Sequence, residues 1–179
     1  MSRFKFTVGP WNVNEGVESF GPGVRPVVDI EEKFKKFAEI GISGVQFHDD
    51  DAVPDMNNMS EKAIIDYAKD MRATLDKYGL VPEFVAPRLW MDPHTTDGGF
   101  TSNSKEDYDF AMWRAYRSID IANALGAKNI VLWLAREGTL CAESKDPVEK
   151  IQKLIESVNK MLDYDPNIKV LIESKPNEP

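Results

Sequence analysis

Cysteine is nearly absent from this 179-residue sequence, in which Cys141 stands alone. One cysteine cannot form an internal disulfide, and such a composition is typical of reducing compartments, so we expect a cytoplasmic protein. Long hydrophobic runs are also missing, since no segment approaches the roughly 20 apolar residues that cross a bilayer. The first residues, Met1 to Phe6, lead into no signal-peptide pattern. We therefore expect neither a membrane partner nor secretion.

Positive charge is scarce as well. The chain has 22 Lys and Arg against 30 Asp and Glu, which gives a net charge of -8. Nucleic acid phosphates are repelled by such a surface, so we expect no nucleic acid partner. An acidic pocket attracts small cations, and metal binding is therefore permitted. With 42% hydrophobic and 29% charged residues, the composition is that of an ordinary globular domain.

Short apolar runs alternate with amphipathic segments along the whole chain. The runs predict five strands, Phe4–Val8, Gly44–Phe47, Val81–Ala86, Asn129–Trp133 and Lys169–Ile172. Four helical segments lie between them, and they follow the N-cap residues Asp29, Ser60, Ser104 and Asp146. The fourth helix is predicted to align Val148, Ile151, Ile155, Val158 and Leu162 on one face.

This alternation predicts parallel strands with right-handed crossovers. The strands begin at intervals of 37 to 48 residues, and no glycine-rich phosphate loop follows any of them, which favours a barrel over a doubly wound nucleotide-binding sheet. Five strands and four helices are just over half of an eight-unit barrel, which typically needs about 250 residues. We therefore predict that residues 1–179 form a single incomplete domain, a partial (β/α)8 TIM barrel. A second chain or a missing C-terminal half would complete it.

Reactive side chains of such barrels gather at the C-terminal ends of the strands. The strand ends of this chain carry Gly9-Pro10-Trp11, then Phe47-His48-Asp49-Asp50-Asp51, then Arg88-Leu89-Trp90 with Asp97-Gly98-Gly99-Phe100-Thr101, then Trp133 with Arg136-Glu137-Gly138, and last Glu173-Ser174-Lys175-Pro176-Asn177-Glu178-Pro179. In order and in spacing, four of these runs resemble consecutive motifs of the short-type D-xylose isomerases: residues 47–51, 97–101, 133–138 and 175–179. The resemblance covers nearly the whole chain but only the first half of that family's barrel. It implies an aldose–ketose isomerase that converts D-xylose to D-xylulose, and perhaps D-glucose to D-fructose, by a metal-assisted hydride shift.

His48 and Asp51 are the first candidate site residues. A histidine at a strand end is usually structural, but a following carboxylate can hold its Nδ1 proton and make the ring more basic. The resemblance implies that His48 opens the sugar ring as acid and base, and that Asp51 orients it. A solvated acidic turn with no catalytic part is the alternative.

Glu173 and Lys175 are two residues apart on a strand, so their side chains are predicted to share the face that becomes the barrel interior. A structural salt bridge would explain them. The resemblance instead implies that Glu173 binds a metal and that Lys175 stabilises the carbonyl oxygen during transfer. It also implies two divalent cations, Mg²⁺ or Mn²⁺ and in some cases Co²⁺, whose other ligands come from later strands. We therefore expect this chain alone to bind no metal and to be inactive.

The tryptophans Trp11, Trp90 and Trp133 lie at three strand ends, where the resemblance implies aromatic walls that hold the sugar and exclude water. Phe20 resembles a phenylalanine that reaches into a neighbouring subunit, with an exposed loop aromatic as the alternative. Trp90, Ala86 and Arg88 depart from the family pattern. Arg88 brings a charge to the rim, which could shift the preference toward an acidic or smaller sugar.

Two other functions stay open. A metal-dependent sugar epimerase of the same barrel type would work by proton transfer through an enediolate, and solvent hydrogen exchange at C2 distinguishes it from an isomerase. A non-catalytic split or remnant half would serve assembly or sugar binding. The expected partners are an aldose, the complementary half of the barrel and further copies of the chain, since the family forms tetramers.

Overall fold

The computed structural model describes residues 4–14, 16, 23–139 and 141–174, with the backbone alone for Ala142. Five parallel strands form one sheet in the order in which they occur along the chain. They are β1 Thr7–Val8, β2 Gly44–His48, β3 Val81–Ala86, β4 Asn129–Trp133 and β5 Lys169–Glu173. Sequential parallel order without a reversal is the topology of a barrel wall, and the prediction of a partial TIM barrel is confirmed.

In the described residues, five α-helices accompany the sheet: α1 Ile30–Glu39, α2 Asp49–Ala52, α3 Glu61–Lys77, α4 Lys105–Leu125 and α5 Pro147–Tyr164. The four predicted N-caps are confirmed, because the side chains of Asp29, Ser60, Ser104 and Asp146 each accept a backbone N–H of the first turn. The short helix α2 was not predicted. It begins directly after His48 and is closed by Asp51, whose carboxylate accepts the backbone N–H of His48 at 3.2 Å.

The main core lies between the sheet and the helices α1, α3 and α4. Its largest fully buried side chains include Phe34 of α1, Phe47 of β2 and Ile119 of α4. Phe47 meets Phe34 edge to face with ring centroids 6.0 Å apart. Alternation along the strands then directs His48, next to Phe47, to the opposite face of the sheet. Packing of Phe47 in the core therefore determines that His48 lies on the other face of the sheet, where a site can form.

The two lateral strands differ from the prediction in their bounds, and β5 is longer by one residue. β1 is shorter than predicted, because Phe4 and Phe6 lie outside the strand and are largely exposed. In β5, Leu171 and Ile172 are exposed as well. Each lateral strand has a neighbour on one side only in the described part of the chain, so its apolar side chains lack a second layer.

The apolar face predicted for α5 is largely exposed to solvent in the structure. The helix forms as expected, but Val148, Ile151, Ile155 and Leu162 are 75%, 60%, 48% and 37% exposed. Met161 and Ser157 are buried instead. Helical spacing does align the four apolar residues, but no described strand or helix follows to cover them. None of the described helices is long and apolar enough to cross a membrane.

Candidate active site

A pocket of about 400 Å³ opens at the C-terminal ends of the strands, on the sheet face away from the core. His48 ends β2, Ala86 ends β3, Trp133 ends β4 and Glu173 ends β5. The lining residues are Trp11, His48, Phe84, Ala86, Arg88, Trp90, Val131, Trp133 and Glu173. Five of the residues singled out in the sequence, Trp11, His48, Trp90, Trp133 and Glu173, are thus brought to one cavity.

Aromatic rings enclose His48 in this pocket. The rings of Trp11 and His48 have centroids 4.2 Å apart, and those of His48 and Trp90 are 5.2 Å apart in an edge contact. Trp90 in turn meets Trp133 at 4.5 Å. Gly9 permits the position of Trp11, since a Cβ atom at Gly9 would lie 2.2 Å from the indole ring. The arrangement places a polar, titratable ring within a largely apolar wall.

Asp51 contacts the histidine ring in the way that an orienting carboxylate would. Its Oδ2 lies 2.8 Å from His48 Nδ1. Burial acts to raise the pKa of Asp51, but the hydrogen bond and charge of His48 and the guanidinium of Arg88 outweigh it. The pKa of Asp51 therefore lies below its ordinary value, which keeps the carboxylate ionised at neutral pH.

Arg88 contacts the same nitrogen of the His48 ring, Nδ1, as Asp51 does. Its Nη2 is 2.8 Å from His48 Nδ1 and 3.2 Å from Asp51 Oδ1, while its Nε donates to Asp50 Oδ1 at 2.7 Å. The guanidinium also lies over the ring of Trp90, 5.7 Å from its centroid. Two carboxylates therefore neutralise the charge that the sequence places at the rim.

A buried ion pair beneath the pocket holds the turn that carries these groups. Arg114 of α4 donates from Nε to Asp49 Oδ2 at 2.7 Å and from Nη2 to Asp49 Oδ1 at 2.8 Å, and both side chains are almost completely buried. Ser118 Oγ donates to the same carboxylate at 3.1 Å, and so does the backbone N–H of Arg88. Burial raises the pKa of Asp49, an effect that Arg114 partly offsets. Asp49 thus joins the end of β2 to the segment after β3.

Sequence reasoning missed this pair. The signal was present, because Arg114 lies on the same apolar face of α4 as Ala111 and Ala115. A charged residue on a buried face needs an opposite charge nearby. The sequence does not show which of several carboxylates supplies it.

Not every predicted site residue is described. Lys175 and Phe20 lie outside the described residues, so their roles stay predictions. Glu173 reaches the pocket, and in the described part of the chain no three His, Cys, Asp or Glu side chains form a group that could hold a metal ion. Mg²⁺ requires a near-octahedral set of oxygen ligands, and one carboxylate does not provide it. The described residues alone do not fit the implied cations.

Two motifs that the sequence singled out lie away from the pocket and bind each other. The Glu137 carboxylate accepts the backbone N–H groups of Gly99, Phe100 and Thr101 at 2.8 to 3.1 Å and the Thr101 hydroxyl at 2.8 Å. The buried ammonium of Lys145 reaches the carbonyl oxygens of Asp97 and Gly138. These residues tie the loop after β3 to the loop after β4.

Replacing Glu137 with glutamine should destabilise this junction. The amide keeps one acceptor oxygen where the carboxylate has two, and hydrogen bonds to a charged group contribute about 1.5–3 kcal/mol each. We expect the free energy of unfolding in urea to fall by roughly that amount. Glu156→Gln, on the exposed face of α5, is the matched control and should change stability by less than about 0.5 kcal/mol. Equal stability of the two variants would contradict the structural part of Glu137.

Comparison with known families supports the fold. The family described as xylose isomerase-like TIM barrel matches residues 34–179, which is most of the chain. The chain belongs to this family. This family is wider than the short-type D-xylose isomerases, and the match identifies the family but not that group within it.

Solved structures of family-like barrels share the fold at low sequence identity. D-psicose 3-epimerase from Clostridium cellulolyticum H10 matches with a TM-score of 0.66 and 12% identity over 98% of this chain and 54% of its own. A xylose isomerase domain protein from Planctomyces limnophilus matches with a TM-score of 0.59 and 17% identity, over 96% of this chain and 54% of its own. The 3-keto-D-glucoside 4-epimerase from E. coli matches with a TM-score of 0.58 and 15% identity, over 94% of this chain and 56% of its own. This chain spans about half the length of each.

Proposed function

We propose that this chain provides the first half of a site that interconverts an aldose and its ketose. One observation carries the proposal: His48 lies between Trp11 and Trp90, with its Nδ1 2.8 Å from the Asp51 carboxylate, at the mouth of a barrel wall. A positioned imidazole can move a proton at a sugar oxygen. The indole walls offer apolar faces to the sugar carbons and keep water away.

D-xylose, with D-glucose as a larger variant, is the substrate that the resemblance favours. A neutral sugar also suits the charges of the pocket, because Asp50 and Asp51 already pair with Arg88. An acidic sugar would have to displace these carboxylates from Arg88. We therefore no longer propose the preference for an acidic sugar that Arg88 suggested in the sequence. Lys175 and Glu173 keep the parts proposed from the resemblance, at the carbonyl oxygen and at a metal.

The proposal includes a completing segment that carries the remaining strands and the other metal ligands. The exposed apolar residues of α5 and the open edge of β5 are where it would pack. The implied Mg²⁺ or Mn²⁺ would be held mainly by that segment, and no step proposed for this chain's residues depends on the ion. Assembly into a tetramer remains part of the proposal, as does a cytoplasmic location.

The test is an assay of the assembled site. The chain is co-expressed with a polypeptide that supplies the remaining strands of the barrel, the complex is purified with Mn²⁺, and its intact mass is recorded. We expect D-xylose to yield D-xylulose, with no activity from either polypeptide alone. A stable, metal-loaded complex that converts no aldose defeats the proposal. Quenching of tryptophan fluorescence by sugar without turnover would instead identify a sugar-binding remnant.

Epimerisation of a ketose is the second candidate, favoured by the match to D-psicose 3-epimerase over 98% of this chain. The two reactions differ in the fate of one hydrogen. A hydride shift moves the C2 hydrogen of the aldose to C1 without exchange, whereas an enediolate mechanism replaces the hydrogen of the reacting carbon with one from solvent. The same complex is therefore incubated in D₂O with D-xylose and with D-fructose. Deuterium in the product identifies the epimerase, and its absence identifies the isomerase.

Substitution of Ile151 should weaken the association with the completing segment. Ile151 is 60% exposed on α5, and burying such a side chain contributes about 1.5–3 kcal/mol. We expect Ile151→Lys to raise the dissociation constant of the complex about 10- to 100-fold, measured by calorimetry. Ile40→Lys is the control: Ile40 is 75% exposed just after α1, and its substitution should leave affinity unchanged. If the two variants bind the completing segment with equal affinity, Ile151 is not part of the contact between that segment and α5.

A further inference from the structure

Two groups with incompatible requirements contact the same nitrogen of His48. Arg88 Nη2 and Asp51 Oδ2 each lie 2.8 Å from Nδ1. A guanidinium has only hydrogens to donate, and an ionised carboxylate can only accept. A neutral imidazole carries its proton on one nitrogen, so Nδ1 either accepts from Arg88 or donates to Asp51. The two contacts cannot both be hydrogen bonds at the same moment.

Both groups are held in place by contacts that do not involve the ring. Arg88 is fixed by its Nε bond to Asp50, by its position over Trp90 and by its backbone N–H, which donates to Asp49. Asp51 accepts the backbone N–H of His48 at Oδ2. Neither group can turn away without breaking other bonds. The competition for Nδ1 is therefore built into the fold at the ends of β2 and β3.

We propose that Arg88 is a positioning residue that opposes Asp51 and holds a large fraction of His48 as the Nε2–H tautomer. In the form bound to Asp51, Nδ1 carries the proton and Nε2 has a free lone pair, so the ring can act as a base toward the pocket. In the form bound to Arg88, Nε2 carries the proton and the ring can only donate a hydrogen bond. Arg88 thus restrains the basicity of the site, where Asp51 alone would favour it.

The consequence for chemistry rests on the proposed function, but the tautomer itself does not. If His48 acts on a sugar, Arg88 lowers the fraction of chains that begin with a base. Sugar binding that draws Arg88 away from Nδ1 would then restore the Asp51-bound form. In this way a residue that departs from the pattern of the xylose isomerases would set when His48 can accept a proton.

Nitrogen-15 NMR of the imidazole rings tests this inference on the full 179-residue chain without sugar or metal. The chain has two histidines, so His94→Gln assigns both sets of signals. Spectra are taken at about pH 9, above the roughly 6.5 pKa of an unperturbed histidine, so that tautomers alone are compared. We expect Arg88→Met to raise the ratio of Nδ1–H to Nε2–H in His48 about three- to tenfold, the effect of one ordinary hydrogen bond.

Two further variants keep the result interpretable. Asp51→Ala should move the ratio in the opposite direction, and Arg88→Lys, which retains a donor, should leave it near that of the unmodified chain. Unchanged His94 signals show that each variant is folded, and Arg88→Leu, which also lacks a donor, replaces Arg88→Met if the latter does not fold. A His48 ratio that is the same with and without Arg88 overturns the inference. That outcome leaves the proposed activity intact, because no sugar enters the measurement.

Discussion

Replacing His48 with glutamine should lower the turnover of the assembled site about 10²- to 10⁴-fold, the usual contribution of a positioned general acid or base. Glutamine keeps a polar side chain of similar length but cannot take up a proton near neutral pH. His48 lies among Trp11, Trp90 and Asp51, so the substitution removes the one imidazole of the described pocket. The measurement is the initial rate of ketose formation at saturating D-xylose.

The other histidine provides the matched control. His94 is a partly exposed residue on the loop after β3, where its Nδ1 lies 2.8 Å from Asp107, and it does not line the pocket. The carboxylate of Asp107 raises the pKa of His94. His94→Gln should leave turnover within about twofold, because no substrate contact is lost. If both variants lose turnover equally, the effect is on folding, and if neither does, His48 is not the acid or base of this site.

Replacing Arg114 with methionine should cost about 3–5 kcal/mol of folding free energy, the loss that follows when one member of a buried ion pair is removed. Asp49 would remain fully buried as a carboxylate with Ser118 and backbone groups as its remaining donors. Its pKa, already raised by burial, would rise further without the guanidinium. Urea unfolding followed by circular dichroism measures the effect.

Lys105→Met is the control for Arg114→Met. Lys105 pairs with Asp109 on the exposed side of the same helix, where a surface ion pair contributes less than about 1 kcal/mol. The double variant Arg114→Met with Asp49→Leu should recover part of the loss, because it leaves no unpaired charge in the interior. A loss below about 1 kcal/mol for Arg114→Met alone would contradict the view that this pair anchors the turn beneath His48.

Local sequence was sufficient where short-range contacts decide the structure. The N-caps Ser60 and Ser104 and the αL glycine Gly126 set helix ends through hydrogen bonds within a few residues, and both helices begin directly after the predicted caps. The strand β3 occupies the predicted residues. The motif order also predicted that Trp11, His48, Trp90, Trp133 and Glu173 would meet, since parallel strands bring their carboxyl ends to one edge.

Longer-range charges could not be read in the same way. The sequence places three consecutive aspartates after His48, and residue type alone does not distinguish them. The structure gives each a different closest partner: Asp49 pairs with buried Arg114, Asp50 with Arg88, and Asp51 with the histidine ring. These partners lie 38 to 65 residues away, except for that of Asp51. Which carboxylate is structural therefore depends on how α4 and β3 approach the turn.

Periodicity determined the helices, the strands and the parallel barrel wall of this protein, because alternation of apolar residues requires one face of each element to leave water. Only the tertiary structure decided which of those faces is covered. The apolar residues of α5 have the spacing of a core face, yet Val148 and Ile151 are exposed, while Arg114 lies buried on α4. Burial depends on the neighbours that pack around an element, and the sequence of a helix does not contain the positions of those neighbours.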